Sequence, residues 1–496
     1  MTSQSPEAMT PRAPKRPLRW PDSVFDLQDL LQDATQPVYI VGGAVRDAYL
    51  GRPIKDIDLV TPSGAINLGR QIANAAGGDI FVLDRERDVA RVLLAMPEGR
   101  LVIDVARFRA DTLYGDLVDR DFTVNAMAAD LGGDLSLLID PLNGERDLID
   151  KVIRRCSPRS VSDDPIRALR AVRQSVQLDA RMEPETMADV RSSVPYLNDT
   201  SAERVRDEFF KMLAQPKIGR VLRVADALGL LGVVVPEVAA MHGHSAGADQ
   251  ADDLWQHSLR VCERMRALLD TISLRRTDET AANFDLGMVV MALDRFRTPL
   301  REHLAQMWPD WRSHESLLIL AALLHACGEM GDDGDADKVG VQLVSDRALA
   351  LHLSNDERQR LLQTVEHYAL PLHMGELTPR VLHRFWRDLG VAGIDVCLLA
   401  LADYLGMVNY TIEQDAWIGV IDQIDRLFEA YFLEYDTIVL PPVLVDGNAL
   451  MAALDLKPGP AVGNLLLQIR EGQAAGEVTT EAEAVDLARR LLDEMD

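Results

Sequence analysis

Between residues 37 and 150 the chain alternates short β-rich apolar runs with helical stretches. PVYIV, DIDLV, DIFVL, VARVLLA and LVIDVA each predict a strand. After about residue 160 the apolar spacing becomes that of a helix. PIRALRAVRQSVQ, AERVRDEFFKMLA and GRVLRVADALGLL each predict an amphipathic helix. MHGHSAGADQADD reads as a linker before a second helical block, and GEMGDDGDADKVG as an acidic loop inside that block. No internal repeat is found. After EYDTIVLPPV a last short module begins at Asp446. The pattern predicts an α+β protein: an α/β head, then an all-helical neck, body and tail. The expected division is a leader at 1–24, a head at 25–150, a neck at 151–245, a body at 246–435 and a tail at 436–496. The leader, rich in Pro, Ser and Thr and without an apolar centre, is expected to be disordered rather than a signal peptide.

Composition narrows the picture in three ways. No apolar run reaches the ~18 residues of a membrane-spanning helix, so no membrane partner is expected and a cytoplasmic protein is the default. The four cysteines (Cys156, Cys262, Cys327 and Cys397) are far apart and lack CxxC spacing, which predicts reduced, structural thiols. The formal net charge of −26 disfavours nucleic acid as a partner of the whole surface. Charge is segregated, however: Lys151–Arg173 is rich in basic residues, and acids gather in the linkers. Nothing in the sequence reports the oligomeric state.

The chemistry concentrates in VGGAVRDAYLGRPIKDIDLV, Val41–Val60. Alternate side chains of a strand share a face, so Asp56 and Asp58 project together. Two carboxylates that close raise each other's pKa unless a cation neutralises them, and oxygen ligands suit Mg²⁺. Upstream, a strand ends at Gly42-Gly43 and a helix begins. Glycines let the backbone approach a phosphate, the helix N-terminus supplies N–H donors, and Arg46 can add a charged fork. Taken alone, a GG pair or a DxD would fit an ordinary βαβ turn. The order strand, GG, helix with Arg, then DxD is more specific.

These residues resemble the signature of the class II tRNA nucleotidyltransferase and bacterial poly(A) polymerase family, within the polymerase-β-like nucleotidyltransferases. RDFTVNAMA (Arg120–Ala128), DPLNGERDLIDKVIR (Asp140–Arg154), DDPIRALRAVR (Asp163–Arg173), SAERVRDEFFKML (Ser201–Leu213) and LKPGPAVGNLLLQIREGQAAGEVTTEAEA (Leu456–Ala484) follow in the family's order. The resemblance covers most of the chain from about residue 37 and is weakest between about 270 and 435. It implies a template-independent enzyme that adds or repairs the CCA 3′ end of tRNA from CTP and ATP.

The resemblance also implies roles. Asp56 and Asp58 would bind Mg²⁺, with Asp104 of LVIDVARF as the candidate third carboxylate. Gly42, Gly43 and Arg46 would cradle the triphosphate, and Arg120 and Asp121 would contact the nucleotide. Asp164 and Arg167, at i and i+3 on one helix face continued by Arg170 and Arg173, would read the base edges of C and A. A flexible loop within Leu83–Glu98 would bear on nucleotide choice. Two positions depart from the family. Asp119 replaces the first of its usual two arginines, and Asp163 its usual glutamate. Two alternatives stay open: a poly(A) polymerase or A-adding specialist, and a non-catalytic RNA-binding scaffold.

His257 in DLWQHSLRV and His325 in LAALLHACGE resemble a histidine–aspartate phosphohydrolase domain. Ala326 stands where that site needs an aspartate, and Asp403 could be its later aspartate. The body is therefore expected to be a helical scaffold without phosphohydrolase activity, its two histidines satisfied in the core.

Overall fold

A computed structural model describes residues 9–54, 56–96, 99–245, 253–273, 284–330, 336–407 and 413–493. The chain divides into two compact units. One is Met1–Thr200 with Leu228–Leu230, the other Ser201–Ala227 with Leu231–Asp496.

The first unit is built on six strands: β1 (Tyr39–Val41), β2 (Asp56–Thr61), β3 (Asp79–Asp84), β4 (Val89–Met96), β5 (Gly99–Arg107) and β6 (Ala128–Asp130). Their order is β3-β4-β5-β2-β1-β6, with β2 and β5 parallel and the other neighbours antiparallel. The five predicted runs are β1 to β5. Three-residue β6 carries no pattern long enough to predict. Strand alternation sorts the side chains: Ile57 and Leu59 of β2 and Ile103 and Val105 of β5 enter one core with Ala44, Val45, Ile72 and Ala73 of the helices Gly43–Leu50 and Ala65–Ala76. Asp56, Asp58 and Asp104 hold the alternate positions and face the other side of the sheet, which Val41, Val60, Leu117 and Ala128 cover only in part.

Two expectations are corrected in this unit. Residues 9–24, read as part of a disordered leader, lie along the head. Arg12 forms a backbone bridge with Leu138 and its guanidinium meets Asp140 and Glu145, while the Trp20 indole donates to the Leu135 carbonyl at 2.9 Å. A Pro- and Ser-rich composition removes helix and strand propensity, but it does not remove such distant partners. Residues 1–8 lie outside the described residues. Within Leu83–Glu98, where a loop was expected, residues 85–88 form the turn between β3 and β4, and Asp88 accepts from the Ala65 and Ile66 amides at the start of a helix; residues 97–98 lie outside the described residues. The second correction concerns DDPIRALRAVR, which is not one helix. A short helix ends at Asp163, Asp164 is extended (φ −146°, ψ 95°), and the next helix runs Ile166–Gln177. Pro165 drives its predecessor out of the helical region.

Residues 151–200, assigned to the neck, belong to the same unit as the head. There β7 (Val152–Ile153) pairs in parallel with β8 (Arg181–Met182).

Among the described residues the second unit is helical apart from a two-stranded pairing of Met307–Trp308 with Arg312–Ser313 and an isolated bridge between Ser245 and Asp253. Ser201–Leu213 forms the expected helix, Ala202–Leu213. The tail consists of the helices Gly447–Leu454, Pro460–Ala474 and Glu481–Asp493 around their own core of Leu450, Leu465, Ile469, Ala484 and Ala488. Parts of both Gly- and Asp-rich stretches, 246–252 and 331–335, lie outside the described residues.

Candidate active site

The parallel pairing of β2 and β5 sets Asp58 directly opposite Asp104, and Asp56 opposite Val102. Three carboxylates thus gather on one face of two adjacent strands. Asp58 is pushed above the ordinary carboxylate range, first by burial and then by the charges of Asp104 and Asp56; Arg120 and Arg170 work against the rise. A group of hard oxygen donors that repel one another is the donor set a divalent cation suits, so these residues fit one. Across the next strand pair, Arg91 of β4 stands opposite Asp104. Its Nε and Nη2 donate to the two Asp104 oxygens at 2.8 Å each. The sequence reading missed Arg91, although a cation in the otherwise apolar run VARVLLA was a visible signal.

Gly42 makes the turn that brings the start of the helix Gly43–Leu50 beside these carboxylates. Its φ of +76° belongs to the region that disfavours side chains, and a Cβ there would sit 3.0 Å from both Asp58 Oδ2 and Arg120 Nη1. Gly43 opens the helix Gly43–Leu50, which aims its first N–H groups at this corner. Arg46, expected on the triphosphate, is buried. Its Nε and Nη2 donate to Asp47 and its Nη1 donates to Asn125 Oδ1 at 2.7 Å.

A connected network then runs away from Asp58. Arg120 donates through Nε and Nη2 to Asp116, which is fully buried and also accepts from the Arg109 amide. Asp121 accepts from the Phe122 amide, from Asn125 and from Arg170. Burial would raise the Asp121 carboxyl, but Arg170 and these hydrogen bonds hold it well below the usual range. Gln174, one turn beyond Arg170, donates to Asp121 and accepts from Asn125. Asp116, Asn125 and Gln174 were not anticipated. Asn125 and Gln174 stand four residues from Asp121 and Arg170, an i,i+4 signal the sequence did contain.

The pair expected to read the base is held close, but not on one helix. Arg167 Nε lies 3.9 Å from Asp164 Oδ2. The rest of the Arg167 fork donates to main-chain carbonyls, Nη1 to Arg120 and Ser160 and Nη2 to Asp119, at 2.8–3.1 Å. Arg167 therefore braces the turn that carries Arg120 and Asp121. Asp119 is exposed, and its carbonyl accepts from Arg167 and Arg109. Asp163 accepts from Arg159, and Arg173 donates to Gln177 at 3.3 Å.

In the second unit His257, His325 and Asp403 converge, all buried, but the expectation of two satisfied histidines fails at His257, whose Nδ1 has no hydrogen-bond partner among the described residues. Both His Nε2 atoms lie 3.1–3.2 Å from Asp403 Oδ1, and His325 Nδ1 meets the Ala322 carbonyl at 2.8 Å. Burial would lower the His325 pKa, but the Asp403 carboxylate outweighs it and raises it. A second, unanticipated cluster joins His303 and His314 to Asp395 Oδ1 at 2.6 and 2.9 Å. Arg360 donates to the other Asp395 oxygen at 2.9 Å, so this buried carboxylate already has its counter-charge.

A strand ending in a glycine turn, a helix, paired carboxylates on the next, antiparallel strand and an Arg–Asp network behind them mark a nucleotidyltransferase. The model of the "Poly A polymerase head domain" matches residues 38–154, and that of the "Probable RNA and SrmB- binding site of polymerase A" matches 180–241. A CC-adding tRNA nucleotidyltransferase of Geobacter sulfurreducens is 31% identical over 90% of each chain. An A-adding tRNA nucleotidyltransferase of Deinococcus radiodurans is 30% identical over 92% of this chain and 95% of its own. Among solved structures, a CCA-adding enzyme with ATP shares the fold at a TM-score of 0.60 and 22% identity, covering 96% of this chain and 97% of its own. The chain belongs to the class II tRNA nucleotidyltransferase and bacterial poly(A) polymerase family. As in that family generally, its chemistry calls for a divalent metal. Among the described residues no single helix is long and apolar enough to cross a membrane.

Proposed function

We propose that this chain completes the CCA 3′ end of tRNA in the cytoplasm, adding C and then A from CTP and ATP without a nucleic-acid template. The observation that carries this is the register of β2 and β5, which gathers Asp56, Asp58 and Asp104 beside the Gly42 turn. In the reaction the terminal ribose 3′-oxygen forms a bond to the α-phosphorus of the incoming nucleotide, and pyrophosphate leaves. Mg²⁺ held by the three carboxylates would neutralise the triphosphate and activate the 3′-hydroxyl. The amides at the start of the helix Gly43–Leu50 and the Arg120 Nη1 edge bind phosphate oxygens. Asp121, kept ionised by Arg170, accepts from a ribose hydroxyl. Asp164 accepts from the exocyclic amine that C and A share, and Arg167 donates to the ring edge. Contact by Arg167 requires at least one of its carbonyl bonds to open, which links base reading to the Arg120–Asp121 turn. Arg46 acts through Asn125 on the same turn.

The full-length similarity to relatives named CC-adding and A-adding favours a second reading, a specialist for part of the triplet. Incorporation of single labelled nucleotides on tRNA transcripts ending before, within and one short of CCA decides between them. C, C and then A, stopping there, supports the full activity. A alone on the last transcript marks the A-adding specialist, and C alone the CC-adding one. Long A tails would mean a poly(A) polymerase. No incorporation on any transcript would overturn the reading.

A further inference from the structure

The carboxylate site contains a cation of its own. Arg91 stands in register with Asp104 and donates to both of its oxygens at 2.8 Å. Asp104 in turn stands opposite Asp58 across β2 and β5, so the arginine is held on the carboxylate that adjoins the pair. The pair is neither deeply buried nor a distant surface contact, with Arg91 43% and Asp104 31% exposed. While the pair is closed, Asp104 turns both oxygens to the arginine and cannot offer both to a metal. Nothing in the reaction described above uses Arg91.

We propose that Arg91 is the internal counter-cation of the carboxylate site. It holds Asp104 when no divalent ion is bound and gives way when one arrives, and so sets how tightly the site takes the metal. Arginine suits this role: its planar fork matches a carboxylate, and its charge persists at every working pH. A fixed positive charge beside the site opposes the metal twice, once by occupying its ligand and once by direct repulsion. The consequence is a site that stays empty at low divalent concentration.

The inference rests on Asp56, Asp58 and Asp104 being the metal site, and the test separates the two claims. Mn²⁺ binding to the full chain, without nucleotide or RNA, is followed by electron paramagnetic resonance and calorimetry. Arg91→Gln is expected to tighten Mn²⁺ binding about tenfold, the change one unit charge a few ångströms from a divalent ion makes in a water-like dielectric. Arg91→Lys, which keeps the charge but not the fork, is expected to fall between Arg91→Gln and the natural chain. Arg91→Met serves the same purpose if the glutamine variant does not fold. Binding that is lost in Asp58→Asn but unchanged or weaker in Arg91→Gln would overturn the role of Arg91 and leave the metal site standing. Binding that survives Asp58→Asn, or no Mn²⁺ binding by either the natural chain or Arg91→Gln, would overturn both.

Discussion

Asp58 draws together the most separate constraints of any residue in the site. It faces Asp104 across β2 and β5, and it limits the space at Gly42 together with Arg120. Asp56→Ala or Asp58→Ala should lower nucleotide incorporation by about a thousandfold or more, because a bound metal supplies several kcal/mol to such transition states. Circular dichroism should be unchanged; retained incorporation would refute the assignment. Gly42→Ala should lose activity for another reason. It forces a Cβ into a positive φ and against Asp58 and Arg120, at a cost of about 1–3 kcal/mol. A melt close to that of the natural chain with full activity would show that the turn is not needed. Arg167→Ala should relax the preference for C and A more than it raises the KM for triphosphate, since its fork braces the turn rather than the carboxylates. An unchanged nucleotide preference with a raised KM would reverse that assignment.

At the level of elements, the helices His314–Leu324 and Ala392–Met407 carry parts of both histidine clusters: His314 opens the first helix and His325 follows its end, while Asp395 and Asp403 both lie on the second. These clusters hold buried charge, so their breakage is costly. Asp395→Ala strands Arg360 and two histidines in the core and should destabilise the chain by about 3–5 kcal/mol, read as a lower melting temperature. The Asp403 cluster gives a pH signature. Asp403 is lowered to about 2 despite its burial, chiefly by the two histidines, so its contribution is present above the ordinary carboxylate value of 3.8 and lost as pH falls toward about 2. His325 is raised above 6.5, so its contribution is full below 6.5 and lost as pH rises through the raised value. The melting temperature should therefore fall as pH rises above 6.5, and Asp403→Asn should remove part of that fall. An identical pH slope in the variant would dissociate His325 from stability.

For the whole molecule, a net charge of −26 has to be reconciled with an RNA substrate. The arginines at positions 109, 120, 167 and 170 meet around one turn of the first unit, so the surface need not be basic overall. Association with tRNA should weaken steeply as salt rises, because counterion release scales with the number of phosphates neutralised. A flat salt dependence in filter binding would mean that contacts other than phosphate carry the affinity.

Sequence alone determined much of this protein, for physical reasons. Strand and helix periods are local, so β1 to β5, the Gly42-Gly43 turn and the shared face of Asp56 and Asp58 could be read from neighbouring residues. Contacts between distant residues could not. Arg91 on Asp104, Asp116 under Arg120 and the His303–His314–Asp395 cluster depend on which strands and helices meet, and no local period encodes that. The same limit explains the errors. Residues 9–24 lack propensity but find partners at Leu135, Leu138 and Glu145, over 100 residues away. The helix expected through Asp164 failed for a local cause, Pro165, which the sequence did print. Backbone chemistry and side-chain alternation thus placed the candidate site, whereas burial and charge pairing, which only the folded chain decides, settled what each arginine holds.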